Sequence, residues 1–357
     1  MQNDHTVSIP EHIPGAAFLV EDRTVTQVNA AAEQRQIPVG ANIRELICVG
    51  SQEYDSFSSG KLYLQLNVAG IRYDACVTPH QGVHLFCISS DYESAELQIL
   101  ARAASHLRES LQNALIGADR LSGSIPDSAD SSTRKSLGQV NRSLHQMLRS
   151  VGNMSDASKF PRHRLEHFVC SDAKALFAEI AEKVHTKVDP LNRTIIFTGL
   201  NKQVFTMMDA PALERAFYNL INNAVKFSPE GSTIRAKVST AGNRLYITVE
   251  NTCTAASSQA AQFFDRYLRE PGLEDRRFGI GLGLSVVRNI AIAHHGTFLV
   301  SKPNKNTVRC TMTLAVLAES HPVLNSSCRL KIDYSGGMDT ALVELSDILP
   351  DEMYENI

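Results

Sequence analysis

Apolar and polar positions along "GAAFLVEDRTVTQV", residues 15–28, fall into two β-rich runs around a Glu-Asp-Arg turn, which predicts a hairpin. A helical patch is expected around "NAAAEQRQI". "KLYLQLNVAGIRYDACVTPHQGVHLFCIS" then offers three strands, separated at Gly70 and by a turn from Pro79 to Gly82. From Asp91 the period changes. Leu97, Leu100, Ala104, Leu107, Leu111, Leu115, Ala118 and Leu121 recur at three and four residues and mark one stripe of a long helix. The turn-rich break "SGSIPDSADSS" precedes a second helix from Thr133 to around Met154, where Leu137, Val140, Leu144, Leu148 and Val151 keep the same spacing. Two such helices joined by a short loop leave apolar stripes that the hairpin alone cannot cover. Pairing with a second copy in a four-helix bundle buries them, so a homodimer is predicted.

From His167 to Val316 helices and strands alternate. "AKALFAEIAEKVHTKV", "PALERAFYNLINNAVKF" and the run after Gly283 read as helices, and "RTIIFTGL", "VFTMMD", "TIRAKVST", "RLYITVEN", "GTFLVSK" and "RCTMTLAV" read as strands. This order predicts a two-layer α/β sandwich. The tail from Ser320 carries a short strand, Gly336-Gly337 and an amphipathic helix "TALVELSDIL" with an acidic end. The expected fold class is therefore α+β multidomain, divided at residues 1–90, 91–158, 159–317 and 318–357.

Composition narrows the partners. At 357 residues the chain is long enough for two or three units, and 35 Lys plus Arg against 38 Asp plus Glu give no general attraction to nucleic acid or anionic membrane. No apolar run reaches the ~20 residues of a transmembrane helix, and Met1 to Pro14 lacks the basic start and apolar stretch of a signal peptide, so a cytoplasmic location is expected. The seven cysteines include no C-x-x-C pair and read as small buried hydrophobes. The twelve histidines form no H-E-x-x-H or H-x-H cluster, which argues against a metal held by protein ligands alone.

The most specific stretch is "ERAFYNLINNAVKFSPEG": Asn219 and Asn223 lie one helical turn apart on the same face, with Lys226 and Phe227 next. It resembles the N box of sensor histidine kinases and related Bergerat-type ATPases. "FGIGLGLSVVRNIAIAHHG", with Gly279, Gly281 and Gly283 ahead of a helix, is similar to that family's second glycine box, and "FFDRYLRE" to its F box. The resemblance implies that ATP and Mg²⁺ bind here, with Asn223 ligating the metal and Asn219 and Lys226 contacting phosphate. Mg²⁺ suits such a site because it keeps several waters and needs few protein oxygens when phosphate supplies the rest. Glycines let the backbone approach phosphate, and a helix start offers free N–H groups. Arg266, Arg269, Arg276 and Arg277 have two readings, phosphate ligands or a solvated basic loop.

Two boxes depart from the family pattern. Where the family has Asp-x-Gly-x-Gly, this chain has "VENTCTAASS", so Asn251 stands for the aspartate and Cys253 and Ala255 for the glycines. An Asn carbonyl still accepts from the adenine amino group but lacks the charge that strengthens the bond. The family's acceptor helix carries H-E-L-R-T-P-L, and "SHLRESL" aligns without gaps, so Ser105 takes the histidine's place and His106 falls one residue later. A slip of one residue turns a side chain by ~100° on a helix. His106 is then either a displaced phosphoacceptor or a solvent-facing histidine; His145 has the weaker claim.

With the first ninety residues resembling a reduced PAS-type sensor domain, the resemblance implies a cytoplasmic sensor histidine kinase. It is expected to autophosphorylate on histidine and to pass the group to a response regulator on a separate chain, without nucleic-acid or membrane partners. The rival is a dimeric scaffold that keeps the kinase fold and signals by shape.

Overall fold

The computed structural model describes residues 8–10, 13, 15–88, 91–126, 130–159, 168–253, 282–316 and 339–355. Strands β1 (Ala17–Glu21) and β2 (Thr24–Val28) form the expected hairpin. Asp22 and Arg23 both take positive φ, 45° and 67°, the turn geometry whose twist matches its flanking strands. Helix α1 (Ala30–Gln34) follows, capped by the Asn29 side chain accepting from the Ala32 N–H. After α2 (Ile43–Leu46), β3 (Ile47–Val49) and α3 (Ser51–Asp55) come the antiparallel strands β4 (Lys61–Val68), β5 (Ile71–His80) and β6 (Val83–Ile88). The last turn is narrower than the sequence suggests. Pro79 lies inside β5 opposite His84, and Gln81 and Gly82 alone make the reversal; a strand accommodates proline where its missing N–H is not needed by the ladder.

The hairpin consists of α4 (Asp91–Ser124) and α5 (Ser131–Lys159). Its predicted stripe divides in two. Ala104, Leu115, Ala118, Leu148 and Val151 are buried, whereas Leu107, Leu121 and Val140 stand 53%, 61% and 51% exposed.

The third unit runs β7 (Val169–Asp172), α6 (Ala173–Val188), β8 (Thr194–Thr198), β9 (Phe205–Met208), α7 (Ala210–Phe227), β10 (Thr233–Ala241), β11 (Arg244–Thr252), α8 (Leu282–Ala293), β12 (Phe298–Asn304) and β13 (Thr307–Ala315). The strands run β12-β13-β11-β10-β8, with β8 and β10 parallel; β7 and β9 pair apart from them. One face carries α6, α7 and α8, and Phe177, Phe217, Ile221, Val287 and Met312 meet in the shared core. This is the two-layer sandwich. The short tail helix α9 (Thr340–Glu344) adds Ala341, Leu342 and Leu345 to that core.

One connection has no counterpart in the sequence pattern. β4 pairs antiparallel with β12, Tyr63 opposite Phe298 and Lys61 opposite Val300, so the N-terminal sheet continues into the sandwich sheet. Gly60 permits this approach: its φ is +97°, and a methyl group there would sit 2.1 Å from the Val300 carbonyl oxygen. The cysteines are less buried than expected. Among the six described, Cys253 and Cys310 are buried, Cys48 is exposed and the others are half-buried; half of a strand's positions face outward whatever their polarity.

Candidate functional site

Helix α7 begins with a cap. The Asp209 side chain accepts from the Ala212 N–H at 3.1 Å, and Pro211 occupies the first turn, where a missing N–H leaves no bond unmade. The Asp209 N–H donates to His294 Nε2 at 3.0 Å, while His294 Nδ1 lies 2.7 Å from the Ile290 carbonyl oxygen. Burial holds the His294 pKa down to about 4, so the ring is neutral with its proton on Nδ1. This bond ties the start of α7 to the end of α8.

The other end of α8 meets the middle of α7. A methyl group on Gly283 would lie 2.9 Å from Asn219 Oδ1 and 3.8 Å from Asn223 Nδ2, so only glycine lets the first turn of α8 rest on both asparagines. Asn223 is half-buried there, beside the first described turn of α8, whose N–H groups find no acceptor within the described part of the helix. An amide oxygen for a hard cation next to donors for an anion fits a metal-bound phosphate. Among the described residues no group of three or more His, Cys, Asp or Glu is placed to hold a metal.

Asn219 shares the helix face with Asn223 but not its exposure. It is wholly buried, accepting from Arg149 Nη2 at 3.1 Å and donating to the Arg215 carbonyl at 3.0 Å and to Glu344 Oε2 at 3.4 Å. Asn222 Oδ1 also accepts from Arg149, at 3.0 and 3.3 Å. Arg149 comes from α5 and is 7% exposed. Arg149, Asn222 and Glu344 carried no sequence signal of this role; each reads as an ordinary polar helix position.

Lys226 is exposed at the last turn of α7, and Phe227 packs against the sandwich core. Asn251, near the end of β11, is buried; its Nδ2 donates to Ser228 Oγ at 3.2 Å and to the Thr252 carbonyl at 3.3 Å. Its Oδ1 has no protein donor among the described residues, which leaves an acceptor for a base amino group. Arg266, Gly279 and Gly281, with the F box, lie outside the described residues. Ser105 and His106 are both exposed on α4. His145 is buried on α5 with Nδ1 2.8 Å from the Asn141 carbonyl oxygen, its ring against Tyr354 and its pKa lowered by burial.

Comparison with known proteins finds a family match over this part of the chain. Residues 208–318 match the family of histidine kinase-, DNA gyrase B-, and HSP90-like ATPases. Histidine kinase P4 of Formosa agariphila is 28% identical over 185 residues, covering 49% of this chain and 13% of its own length. Sensor histidine kinase CusS of Escherichia coli is 36% identical over 101 residues, covering 28% of this chain and 21% of its own. The chain thus spans a minor part of both relatives. Among solved structures, full-length ShkA in complex with AMPPNP aligns with a TM-score of 0.47 and 19% identity, over 63% of this chain and 47% of that one. Residues 208–318 therefore carry an ATPase domain of the histidine kinase-, DNA gyrase B-, and HSP90-like family, and the relatives that share this stretch are histidine kinases.

Proposed function

We propose that the chain is a cytoplasmic, homodimeric sensor histidine kinase. It uses Mg-ATP to phosphorylate a histidine of its own and hands the phosphoryl group to a response regulator on a separate chain. The reading is carried by Gly283, which seats the start of α8 against the N-box asparagines. In it, Asn223 offers an oxygen to Mg²⁺, the α8 N-terminus and Lys226 meet phosphate, and Asn251 Oδ1 accepts from the adenine amino group. Mg²⁺ when bound supplies charge compensation at the transferring phosphoryl group; holding donor and acceptor in line supplies much of the remaining rate. His106 is the proposed acceptor.

Residues 1–90 are read as a PAS-like input domain, supported by an antiparallel sheet whose core is closed by short helices. Residues 91–158 are the dimerisation hairpin, 159–317 the ATP domain and 318–357 an extension. Leu107, Ile116, Leu121, Val140 and Met147, all about half-exposed or more on α4 and α5, support a second copy as the cover for that apolar surface. No helix among the described residues is long and apolar enough to cross a membrane.

The sealed Asn219 and the Asn251 substitution favour a second reading, a scaffold of kinase fold that signals without transferring phosphate. Incubation with γ-labelled ATP and Mg²⁺ separates the two: acid-labile label on the protein supports the kinase, and nucleotide binding without label supports the scaffold.

A further inference from the structure

The tail after Asp339 does more than fill the core. Leu342 and Leu345 join the sandwich core, yet Val343, between them in sequence, packs with Leu115 of α4 and Leu148 of α5. A helix of five residues therefore has one face in each unit. The chain continues along α5, where Arg142 donates to the carbonyls of Ser346 (3.1 Å) and Asp347 (3.2 Å) and pairs with Asp351 (3.1 Å). Asn141 Nδ2 donates to the Tyr354 carbonyl at 3.0 Å, and Ser122 of α4 donates to the Glu355 carbonyl at 3.2 Å.

At the inner end Glu344 is 4% exposed and stands between two arginines of different units, 3.6 Å from Arg149 of α5 and 2.8 Å from Arg215 of α7. Arg149 also pairs with Asp347, and Arg215 with Asp156. Burial works against the Arg215 charge, but Asp156 and Glu344 outweigh it and raise its pKa. Removing one carboxylate would leave buried positive charge beside Asn219.

We propose that residues 339–355 are an intramolecular clasp that holds the helical hairpin on the ATP domain in a resting arrangement and opens before phosphoryl transfer. The proposal rests on the kinase reading. Two observations give it an inhibitory sign. While the clasp is shut, Arg149 and Glu344 occupy the hydrogen-bonding groups of Asn219, so no phosphate reaches it. Arg108 of α4 faces the same cluster, within electrostatic reach of Arg215, Asp156 and Glu344, and His106 lies two residues earlier, ~200° around the helix. The acceptor thus points away from the ATP domain of its own chain. The outer end is the place to open, since the Arg142–Asp351 pair is 28% and 40% exposed.

The test uses the full chain with Asp351→Lys, which sets a like charge beside Arg142, and with the charge-swapped pair Arg142→Glu, Asp351→Lys. Amide exchange at residues 141–149 and 339–355 is followed alongside labelling from γ-labelled ATP. The clasp predicts that Asp351→Lys speeds exchange in both segments and labelling, each several-fold, and that the swapped pair returns both toward wild type. Asp351→Asn gives the same direction at smaller size and serves if the reversal does not fold. Faster exchange with unchanged or slower labelling, or unchanged exchange, overturns the proposal. If no variant including wild type is labelled, the kinase reading fails and affinity decides: the clasp then predicts tighter Mg-ATP binding by Asp351→Lys, and equal affinity overturns it.

Discussion

Gly283 and Asn219 approach so closely that a methyl group at residue 283 would sit 2.9 Å from Asn219 Oδ1. Asn219 cannot turn aside, because Arg149, Glu344 and the Arg215 carbonyl hold both ends of its amide. Gly283→Ala is therefore expected to push α8 off α7, destabilising the ATP domain by about 1–3 kcal/mol as overpacked cores do. Nucleotide affinity should fall with it. A thermal melt and a titration with Mg-ATP check both; a variant indistinguishable from wild type in each would mean that the helices do not meet as described.

Asn223 differs from Asn219 in being only half-buried, beside the first described turn of α8. It has no side-chain bond that the substitution breaks within the described residues, so Asn223→Ala should cost folding stability no more than about 1 kcal/mol. Mg-ATP affinity should drop at least about tenfold, equivalent to 1.4 kcal/mol. Calorimetry at fixed Mg²⁺ measures this, and equal affinity in the variant removes Asn223 from the metal site.

His294 gives the ATP domain a pH dependence. Its folded pKa of about 4 lies below the ordinary 6.5, so the unfolded chain takes up the proton first. This contribution is fully present above pH 6.5 and is lost as pH falls toward 4, a total of about 3 kcal/mol. Between pH 6 and 5, urea unfolding of wild type should lose about 1 kcal/mol more than that of His294→Asn. Parallel slopes would show that His294 is not buried neutral.

Leu107 is 53% exposed in the single chain and lies on the predicted stripe. If a second copy covers it, Leu107→Asp places an unpaired charge in the bundle and separates the dimer. The melt of the monomer should change little. Leu144 is no substitute, because it packs with Leu115, Leu148 and Val343 within one chain. Sedimentation of Leu107→Asp at the mass of wild type contradicts the bundle.

What could be read from the sequence was local. The β1–β2 hairpin, the two long helices and the shared face of Asn219 and Asn223 follow from periods of two and 3.6 residues acting over a few positions. Burial of Asn219 did not follow, since its partners lie 70 residues earlier in Arg149 and 125 later in Glu344. The β4–β12 pairing was equally silent, because backbone bonds between distant edge strands ask little of side chains beyond a glycine at position 60. β7, four residues ending in Asp172, is too short to show alternation.

Phosphoryl transfer to His106 from nucleotide held at the Gly283–Asn223 corner, as proposed, is tested most directly by labelling. Purified protein is incubated with γ-labelled ATP and Mg²⁺, with His106→Gln and Asn223→Ala in parallel, and the label is tested for acid lability. Acid-labile label on wild type, absent from both variants, is the predicted result. Label that persists in His106→Gln contradicts the assigned acceptor, and nucleotide binding by wild type with no label contradicts the kinase itself.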